Sequence, residues 1–341
     1  MFPYPIAFQT MNAARLASIE LCAGAGGQAL GLEAAGFEHE LLIEIESAAC
    51  QTLKQNRPSW NVREADVRTL SGARYRGIDL LAAGVPCPPF SIAGKQRGPD
   101  DERDLFPTAL RLVDEIRPAA VILENVPGFA SERFQHYRRG IVRRLTSMGY
   151  GVDWRILNAC DYGVPQLRPR FVLVAIKQRN FSDFAWPSAV GPPPSVGDAL
   201  YDLMSADGWS GAKVWSRRAK GIAPTLVGGS RLHGGPDLGP TRARAAWRSL
   251  GVDGRGVADS PPNAATPADA VPRLTVRMAA RVQGFPDSWV FSGRKTAAYR
   301  QVGNAFPPPI ARAVAERVRA ALLGVRNSAE PEQYVLPYGP S

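Results

Sequence analysis

Short apolar runs alternate with amphipathic stretches along the first half of the chain. The apolar runs of strand length are residues 18–22, 40–45, 79–84, 119–125 and 170–177. Between them apolar positions recur at helical spacing, most clearly in residues 104–116, and glycines open a helix at Gly27. This alternation predicts an α/β fold built on a doubly wound, mostly parallel sheet.

Two proline-rich stretches, residues 187–194 and 260–272, interrupt this pattern and predict semi-rigid linkers. The helical patterns that follow are too short to form a separate domain, so we expect them to return to the first domain. The segment between the linkers is then a smaller inserted domain. The predicted division is residues 1–186 for the first part of the main domain, 187–271 for the insertion, 272–325 for the return, and 326–341 for a loose tail.

Composition narrows the class of protein. The chain has 341 residues, 45% of them hydrophobic, which is enough to bury a core without disulfides. Its four cysteines and three histidines show no zinc-type spacing, so we expect no metal. The first residues lack the pattern of a signal peptide, and no apolar run reaches the roughly 18 residues of a membrane span. We therefore expect a cytoplasmic protein that does not bind membranes.

Basic residues are dense in one part of the predicted insertion, residues 209–248. The whole chain carries 41 Lys and Arg against 31 Asp and Glu, a net charge of +10. Residues 209–248 contain eight of the basic residues and one acidic residue, Asp237. Trp209, Trp215 and Trp247 lie among these charges, a mixture that suits phosphate contact and base stacking. A solvated basic face is an equally good interpretation of this segment alone.

The end of the first strand carries a candidate cofactor loop, LCAGAGGQALG. Gly24, Gly26 and Gly27 allow a ligand to approach the backbone where the strand turns into a helix. Glu44 ends the next strand, where a carboxylate binds ribose hydroxyls, and Asp66 is placed to end a third strand. Together these residues indicate a cofactor that contains adenosine.

A second cluster follows the later strands. Cys87 lies in VPCPPFS, where prolines hold the backbone stiff and non-helical after the strand 79–84. Glu124 ends the next strand, and Arg168 and Arg170 open a later one. A thiolate, a carboxylic acid and two guanidinium groups at one edge of a sheet can attack and polarise a heteroaromatic ring.

These residues belong to a longer stretch, from about Ser18 to Val318, in which the sequence resembles the DNA (cytosine-5) methyltransferases. Six motifs occur in the family's order: LCAGAGG, GVPCPPFSIAGKQRG, ENVPGF, YGVPQLRPR, RLTVRMAARVQGFPDSW and YRQVGNAFPPP. The family's variable target-recognition region lies between the fourth and fifth motifs, which is the position of the basic insertion. The resemblance implies a Rossmann-like, S-adenosylmethionine-dependent methyltransferase fold with an inserted target-recognition domain.

The resemblance also implies S-adenosyl-L-methionine as the methyl donor. The glycine loop would lie against the methionine portion of this cofactor. Glu44 would bind its ribose, and Ile45 would cover one face of its adenine. Cys22 stands where the family often has an aromatic residue. The expected cofactor-binding residues are Cys22, Gly24, Gly26, Gly27, Glu44, Ile45, Asp66, Val67, Leu105 and Asn304.

The implied reaction is methylation of C5 of a cytosine in double-stranded DNA. Cys87 would add to C6 of a base flipped out of the duplex, and Glu124 would share its proton with ring N3. Arg170 would bind the cytosine O2, and Arg168 would support the site. After C5 takes the methyl group, loss of the C5 proton would expel Cys87.

The resemblance further implies a mobile loop over residues 91–104 that closes on the DNA. The expected DNA-contacting residues are Ser91, Lys95, Arg97, Arg231, His233, Arg242, Arg244 and Arg273. Arg273 serves equally well as a structural pin for the insertion. We expect a nucleoid-associated monomer that acts on double-stranded DNA as an orphan methylase or beside a cognate restriction endonuclease.

Three alternative functions compete with this one. The first is an amino-methyltransferase, because Cys87-Pro88-Pro89-Phe90 resembles the tetrad of that group. In that tetrad the first residue accepts a hydrogen bond from an exocyclic amine, which a thiol does poorly. RNA is a second possible substrate, against which the long basic insertion argues. A catalytically silent DNA-binding regulator is a third, and the intact Cys87, Glu124, Arg168 and Arg170 argue against it.

Overall fold

A seven-stranded sheet forms the centre of the molecule in a computed structural model that describes residues 15–86, 104–229, 235 and 237–325. The strands are β1 (Leu16–Leu21), β2 (Phe37–Glu44), β3 (Val62–Glu64), β4 (Leu80–Gly84), β5 (Ala120–Asn125), β6 (Tyr150–Asn158) and β7 (Pro169–Lys177). Their order in the sheet is β3-β2-β1-β4-β5-β7-β6, and β7 runs in the direction opposite to the other six strands. The predicted doubly wound, mostly parallel sheet is therefore confirmed.

Helices cover both faces of this sheet. The α-helices of the described residues are α1 (Gly27–Ala34), α2 (Ser47–Asn56), α3 (Phe106–Ile116), α4 (Gln135–Ser147), α5 (Gln178–Phe181), α6 (Val196–Ser205), α7 (Ala212–Arg218), α8 (Thr241–Ser249), α9 (Val276–Val282), α10 (Lys295–Asn304) and α11 (Pro308–Leu322). Side chains of α1 and α11 fill one apolar cluster on the sheet, and those of α3 and α4 fill another on the opposite face. No helix within these described ranges is long and apolar enough to cross a membrane.

The apolar pattern explains which elements were predicted and which were not. Strands β4 and β5 are apolar runs buried on both faces, as parallel strands covered by helices should be. In contrast, β6 mixes buried and exposed positions, and α4 is rich in arginine, so neither stands out as an apolar run. Both form because they pack beside β7 and α3, contacts that a local pattern does not reveal.

The inserted segment contains α6, α7 and α8 and packs directly on the rest of the chain. One apolar cluster runs from Leu53 of α2 through Trp215 and Trp247 to Trp289. Trp247 is fully buried, and Trp215 donates a hydrogen bond to the backbone oxygen of Gly251 over 3.0 Å. Base stacking by these tryptophans, one of the two interpretations that the sequence left open, is therefore wrong, because burial of their large apolar surface holds the insertion together.

Candidate active site at the carboxyl edge of the sheet

The glycine loop lies where the strand order reverses, between β1 and β4, the position at which open α/β sheets bind ligands. Gly24 and Gly26 have φ angles of 55° and 88°, which favour glycine. A Cβ on Gly27 would lie 2.2 Å from the backbone oxygen of Phe306, so this residue allows close packing. A Cβ on Gly24 would meet nothing within 4 Å. The loop thus packs on the Phe306 backbone at Gly27 and leaves free space beside Gly24.

Glu44 ends β2 directly beside this loop. Its Oε2 accepts a hydrogen bond from the Gly24 amide over 2.7 Å, and its Oε1 accepts bonds of 2.8 Å from the amides of Ile45 and Glu46. Burial raises the pKa of Glu44, and these backbone donors oppose the rise. The hydrogen bonds hold the carboxylate at the strand end, where its remaining lone pairs can accept bonds from ligand hydroxyls.

The other predicted cofactor residues surround the same edge with different exposure. Ile45 is 59% exposed although it is apolar, whereas Val67 is buried. Asp66 already pairs with Arg68, whose Nη2 lies 2.6 Å from Oδ2, and this partner lowers the pKa of Asp66. Cys22 and Leu105 are half-buried. The edge therefore presents one exposed apolar surface beside two carboxylates.

Asn304 connects the edge to the insertion. It is exposed at the end of α10, and its side-chain amide donates a hydrogen bond to the Gly229 oxygen over 3.1 Å. At the same place the backbones of Gly228 and Gly303 cross so closely that a Cβ on Gly303 would lie 2.4 Å from the Gly228 nitrogen. This contact fixes the insertion against the helix that carries Asn304.

Glu124 and Arg170 form a buried ion pair at the ends of β5 and β7. Arg170 Nε lies 3.0 Å from Glu124 Oε1, and each side chain is 9% exposed. The pairing of the two strands brings these residues together across the sheet. Burial raises the pKa of Glu124, while the charges of Arg170 and Arg168 oppose this rise. Burial thus favours the protonated form of this carboxyl group, the form that a general acid needs.

Arg168 lies only two residues from Arg170 but has different partners. Its guanidinium group is fully buried and donates hydrogen bonds to three backbone oxygens, at 2.6 Å to Leu226, 2.7 Å to Gly303 and 3.0 Å to Ala305. Leu226 belongs to the insertion, and the other two residues belong to the C-terminal return. Arg168 therefore joins three parts of the chain beneath the site and supports it through the backbone.

Two further residues complete this junction, and the sequence analysis missed both. Gln166 Oε1 accepts a hydrogen bond from the Leu226 amide, and Gln166 Nε2 donates to Gln283 Oε1, each over 2.8 Å. Gln283 in turn donates to the Ala305 oxygen over 2.5 Å. Trp289 was missed as well, and it donates a hydrogen bond of 3.1 Å to the Ala25 oxygen of the glycine loop. These contacts join residues between 22 and 264 positions apart, so no local signal identifies them.

Several predicted site residues lie outside the described residues. They are Cys87, Ser91, Lys95, Arg97, Arg231 and His233. The described chain reaches Val85 and Pro86 just beyond β4, whose last residue, Gly84, pairs with Glu124. The sequence position of Cys87 is thus three residues past the strand end that lies beside Glu124.

The remaining predicted DNA contacts lie on or beside the insertion. Arg242 is exposed on α8, and Arg244 donates a hydrogen bond to the Thr241 hydroxyl over 3.2 Å. Arg273 Nε lies 3.0 Å from Asp253 Oδ2. Arg273 therefore connects the return segment to the insertion, in line with its interpretation as a structural pin.

Comparison with solved structures supports the same architecture. The fold resembles the Entamoeba histolytica methyltransferase EhMeth, with a TM-score of 0.65 and 14% sequence identity over 91% of this chain and 99% of that one. It also resembles the Dnmt2 methyltransferase of S. pombe, with a TM-score of 0.58 and 18% identity over 92% of this chain and 100% of that one. At these identities the likeness establishes the fold.

Sequence relatives establish the family. The type II methyltransferase M.NaeI of Lentzea aerocolonigenes is 55% identical over 89% of this chain and 75% of its own length. M.NgoMIV of Neisseria gonorrhoeae, also a type II methyltransferase, is 51% identical over 89% of this chain and 97% of its own length. The family model for C-5 cytosine-specific DNA methylases matches residues 16–320. The chain belongs to this family and is a DNA (cytosine-5) methyltransferase.

Proposed function

We propose that the chain methylates cytosine C5 by adding Cys87 to C6 of a flipped-out base, with Glu124 and Arg170 as the polarising pair. The buried contact between Glu124 and Arg170 is the observation that carries this proposal. Addition of a thiolate to C6 places negative charge on the ring, and a proton shared between Glu124 and N3 offsets it. Arg170 then faces O2 as a fixed cation, while Arg168 supports the strand that carries Arg170.

S-adenosyl-L-methionine is the proposed methyl donor. The residues at the edge fit its parts: the open space at Gly24 suits the methionine portion, and the carboxylate of Glu44 suits ribose hydroxyls. Ile45 offers an exposed apolar surface for the adenine ring. When bound, the sulfonium group supplies an electrophilic methyl. Asp66 would accept a hydrogen bond from the adenine amine on an oxygen lone pair that Arg68 does not use. The rest of the pocket would be formed by Leu105, Asn304, Val67 and Cys22.

Double-stranded DNA is the proposed form of the substrate, with residues 187–271 as the target-recognition domain. The exposed position of Arg242 and the net positive charge of this segment support phosphate contact there. Ser91, Lys95, Arg97, Arg231, His233 and Arg244 remain proposed DNA contacts. We further propose a cytoplasmic, nucleoid-associated monomer that acts beside a cognate restriction endonuclease or as an orphan methylase. The type II methyltransferases among its relatives favour the first of these two roles.

A covalent trap tests this mechanism. Duplex DNA in which cytosine is replaced by 5-fluorocytosine lacks the C5 proton, so the enzyme should remain attached to the DNA after methyl transfer. We expect a stable adduct with the native protein and none with Cys87→Ala, whose cofactor affinity should be unchanged. Methyl groups found on an exocyclic amine, or full turnover by Cys87→Ala, would refute the mechanism. A parallel assay on RNA tests the alternative substrate.

A further inference from the structure

Gln28, the second residue of α1, is a buried polar side chain that the proposed mechanism does not use. Its residue is 4% exposed, and neither its amide oxygen nor its amide nitrogen has a hydrogen-bond partner among the described residues. Leaving one buried polar group unpaired costs about 1–3 kcal/mol. Such a group in a native fold calls for an explanation in terms of function.

The Gln28 amide points to the space beside Glu124. Gly84 of β4 pairs with Glu124 of β5, and its missing side chain leaves a gap on the face covered by α1. A Cβ on Gly84 would lie 3.7 Å from Glu124 Oε2, 3.8 Å from the Cys22 backbone oxygen and 3.9 Å from Gln28 Oε1. Three oxygen atoms from three elements therefore surround this gap.

The two oxygens of Glu124 have different surroundings. Oε1 faces Arg170 Nε at 3.0 Å, and the charge of Arg168 acts on the same carboxyl group from further away. These arginines are the charged groups of the described residues that act on Glu124. Oε2 instead borders the gap at Gly84, which the uncharged Gln28 amide and Cys22 carbonyl border as well. Because Arg170 occupies Oε1, Oε2 is the oxygen that can carry the catalytic proton.

We propose that Gln28 is a positioning residue that holds Glu124 in place while Glu124 loses and regains its proton. A side-chain amide offers one acceptor and two donors, and a half-turn of its last torsion exchanges them. Before the base is bound, Gln28 Oε1 accepts a hydrogen bond from protonated Oε2, and this O–H turns to ring N3 once the base is in place. Gln28 Nε2 donates a hydrogen bond to Oε2 when Glu124 is ionised. This inference rests on the proposed role of Glu124.

Glu124 exchanges a single proton with the ring, and the C5 proton leaves separately to solvent water when Cys87 is expelled. As the Cys87 thiolate bonds to C6, the bond between hydrogen and Glu124 Oε2 breaks and a bond to ring N3 forms, which leaves Glu124 ionised. When Cys87 is expelled, the same proton returns from N3 to Oε2. Gln28 stays neutral throughout, so it can pair with either form of Glu124 without adding charge beside the ring.

The variant Gln28→Leu tests this role, since leucine has a similar volume but no polar atoms. Gln28 bonds to both forms of Glu124, but its bond to the ionised form is charge-assisted and stronger, so the loss of both raises the pKa of Glu124. The alkaline limb of the pH profile for methyl transfer should move up by about half a unit or more. Adduct formation with 5-fluorocytosine DNA should slow about tenfold through poorer placement of Glu124. Dissociation constants for S-adenosylmethionine and for DNA should stay within about twofold.

The variant Gly84→Ala gives an independent test. The distances from its new methyl group to Glu124, Cys22 and Gln28 are ordinary van der Waals contacts, so the fold tolerates it. The methyl group would stand between Gln28 and Glu124, and the pH profile should move in the same direction. The matched control is Gln51→Leu, at an exposed position of α2, which should leave every value unchanged.

The possible results separate the two proposals. A slower reaction with an unmoved alkaline limb would make Gln28 a packing residue, and a large loss of cofactor affinity would place it in the cofactor pocket. Either result overturns the positioning role. A native enzyme that forms no adduct at all would instead refute the proposed cytosine chemistry, and the positioning role with it.

Discussion

The carboxyl edge of the sheet and the inserted segment bury opposite kinds of side chain. At the edge Glu124, Arg168 and Arg170 are buried while the apolar Ile45 is 59% exposed. Around α8 of the insertion the pattern is the ordinary one, with Trp247 buried and Arg242 and Arg248 at the surface. Buried charges are costly unless they are paired. The pairing of Glu124 with Arg170 offsets part of this cost, and a paired, buried carboxyl group is the kind of group that acid chemistry uses.

The largest expected effect comes from removing the proton that Glu124 supplies. Glu124→Gln keeps the size of the side chain but cannot transfer a proton to ring N3, so kcat should fall about 10²–10⁴-fold. The measurement is methyl transfer to DNA under single-turnover conditions, with Glu132→Gln, an exposed glutamate, as the matched control. Equal activity of the two variants would show that the buried pair serves folding alone.

In the insertion, Trp247→Ala should lower stability, whereas Glu124→Gln lowers the reaction rate. Truncation of a buried tryptophan should lower the free energy of unfolding by about 3–5 kcal/mol. Urea unfolding followed by circular dichroism measures this, with Trp247→Phe as the milder control. A variant with native stability and weak DNA binding would instead restore the interpretation that this tryptophan stacks on bases.

The contrast also shows what the sequence could and could not predict. Strand ends and glycines are local signals, so Glu44, Glu124 and the glycine loop were placed correctly at one edge of the sheet. The tryptophans of the insertion were misinterpreted because their partners lie elsewhere: Trp209 donates its hydrogen bond to Pro267, 58 residues away. The junction around Arg168 likewise joins segments that only the folded chain brings together.

A third prediction uses pH to compare a buried carboxyl group at the edge with one in the insertion. Burial, with Glu44 nearby, raises the pKa of Glu20 well above its usual value. Its contribution to stability is therefore full below the unfolded pKa of about 4.3 and is lost as pH rises through the folded pKa. Glu20→Gln should be more stable than the native chain at pH 8, by about 1 kcal/mol or more, and the gain should shrink towards pH 5.

Asp253 should show the opposite dependence. Hydrogen bonds from Arg255 and Arg273 hold the pKa of Asp253 well below its usual range. Its contribution to stability is present above the unfolded pKa of about 3.9 and is lost as pH falls through the folded pKa. Asp253→Asn should cost about 0.5–1 kcal/mol at pH 7, since both arginines are partly exposed. If the free energies of unfolding of Glu20→Gln and Asp253→Asn, relative to the native chain, changed with pH in the same way, the opposite pKa shifts of these two groups would be contradicted.

The smallest effect on stability should come from Arg242→Ala, because this side chain is exposed on α8. The free energy of unfolding should change by less than about 0.5 kcal/mol. If Arg242 contacts a phosphate, the slope of log affinity against log salt should fall by about one unit, equally for target and unrelated DNA. Loss of discrimination between sequences, with an unchanged slope, would instead assign Arg242 to a base edge.

Arg248→Ala, also exposed on α8, is the matched variant, and a salt slope altered by Arg242→Ala alone would locate the DNA on one side of this helix.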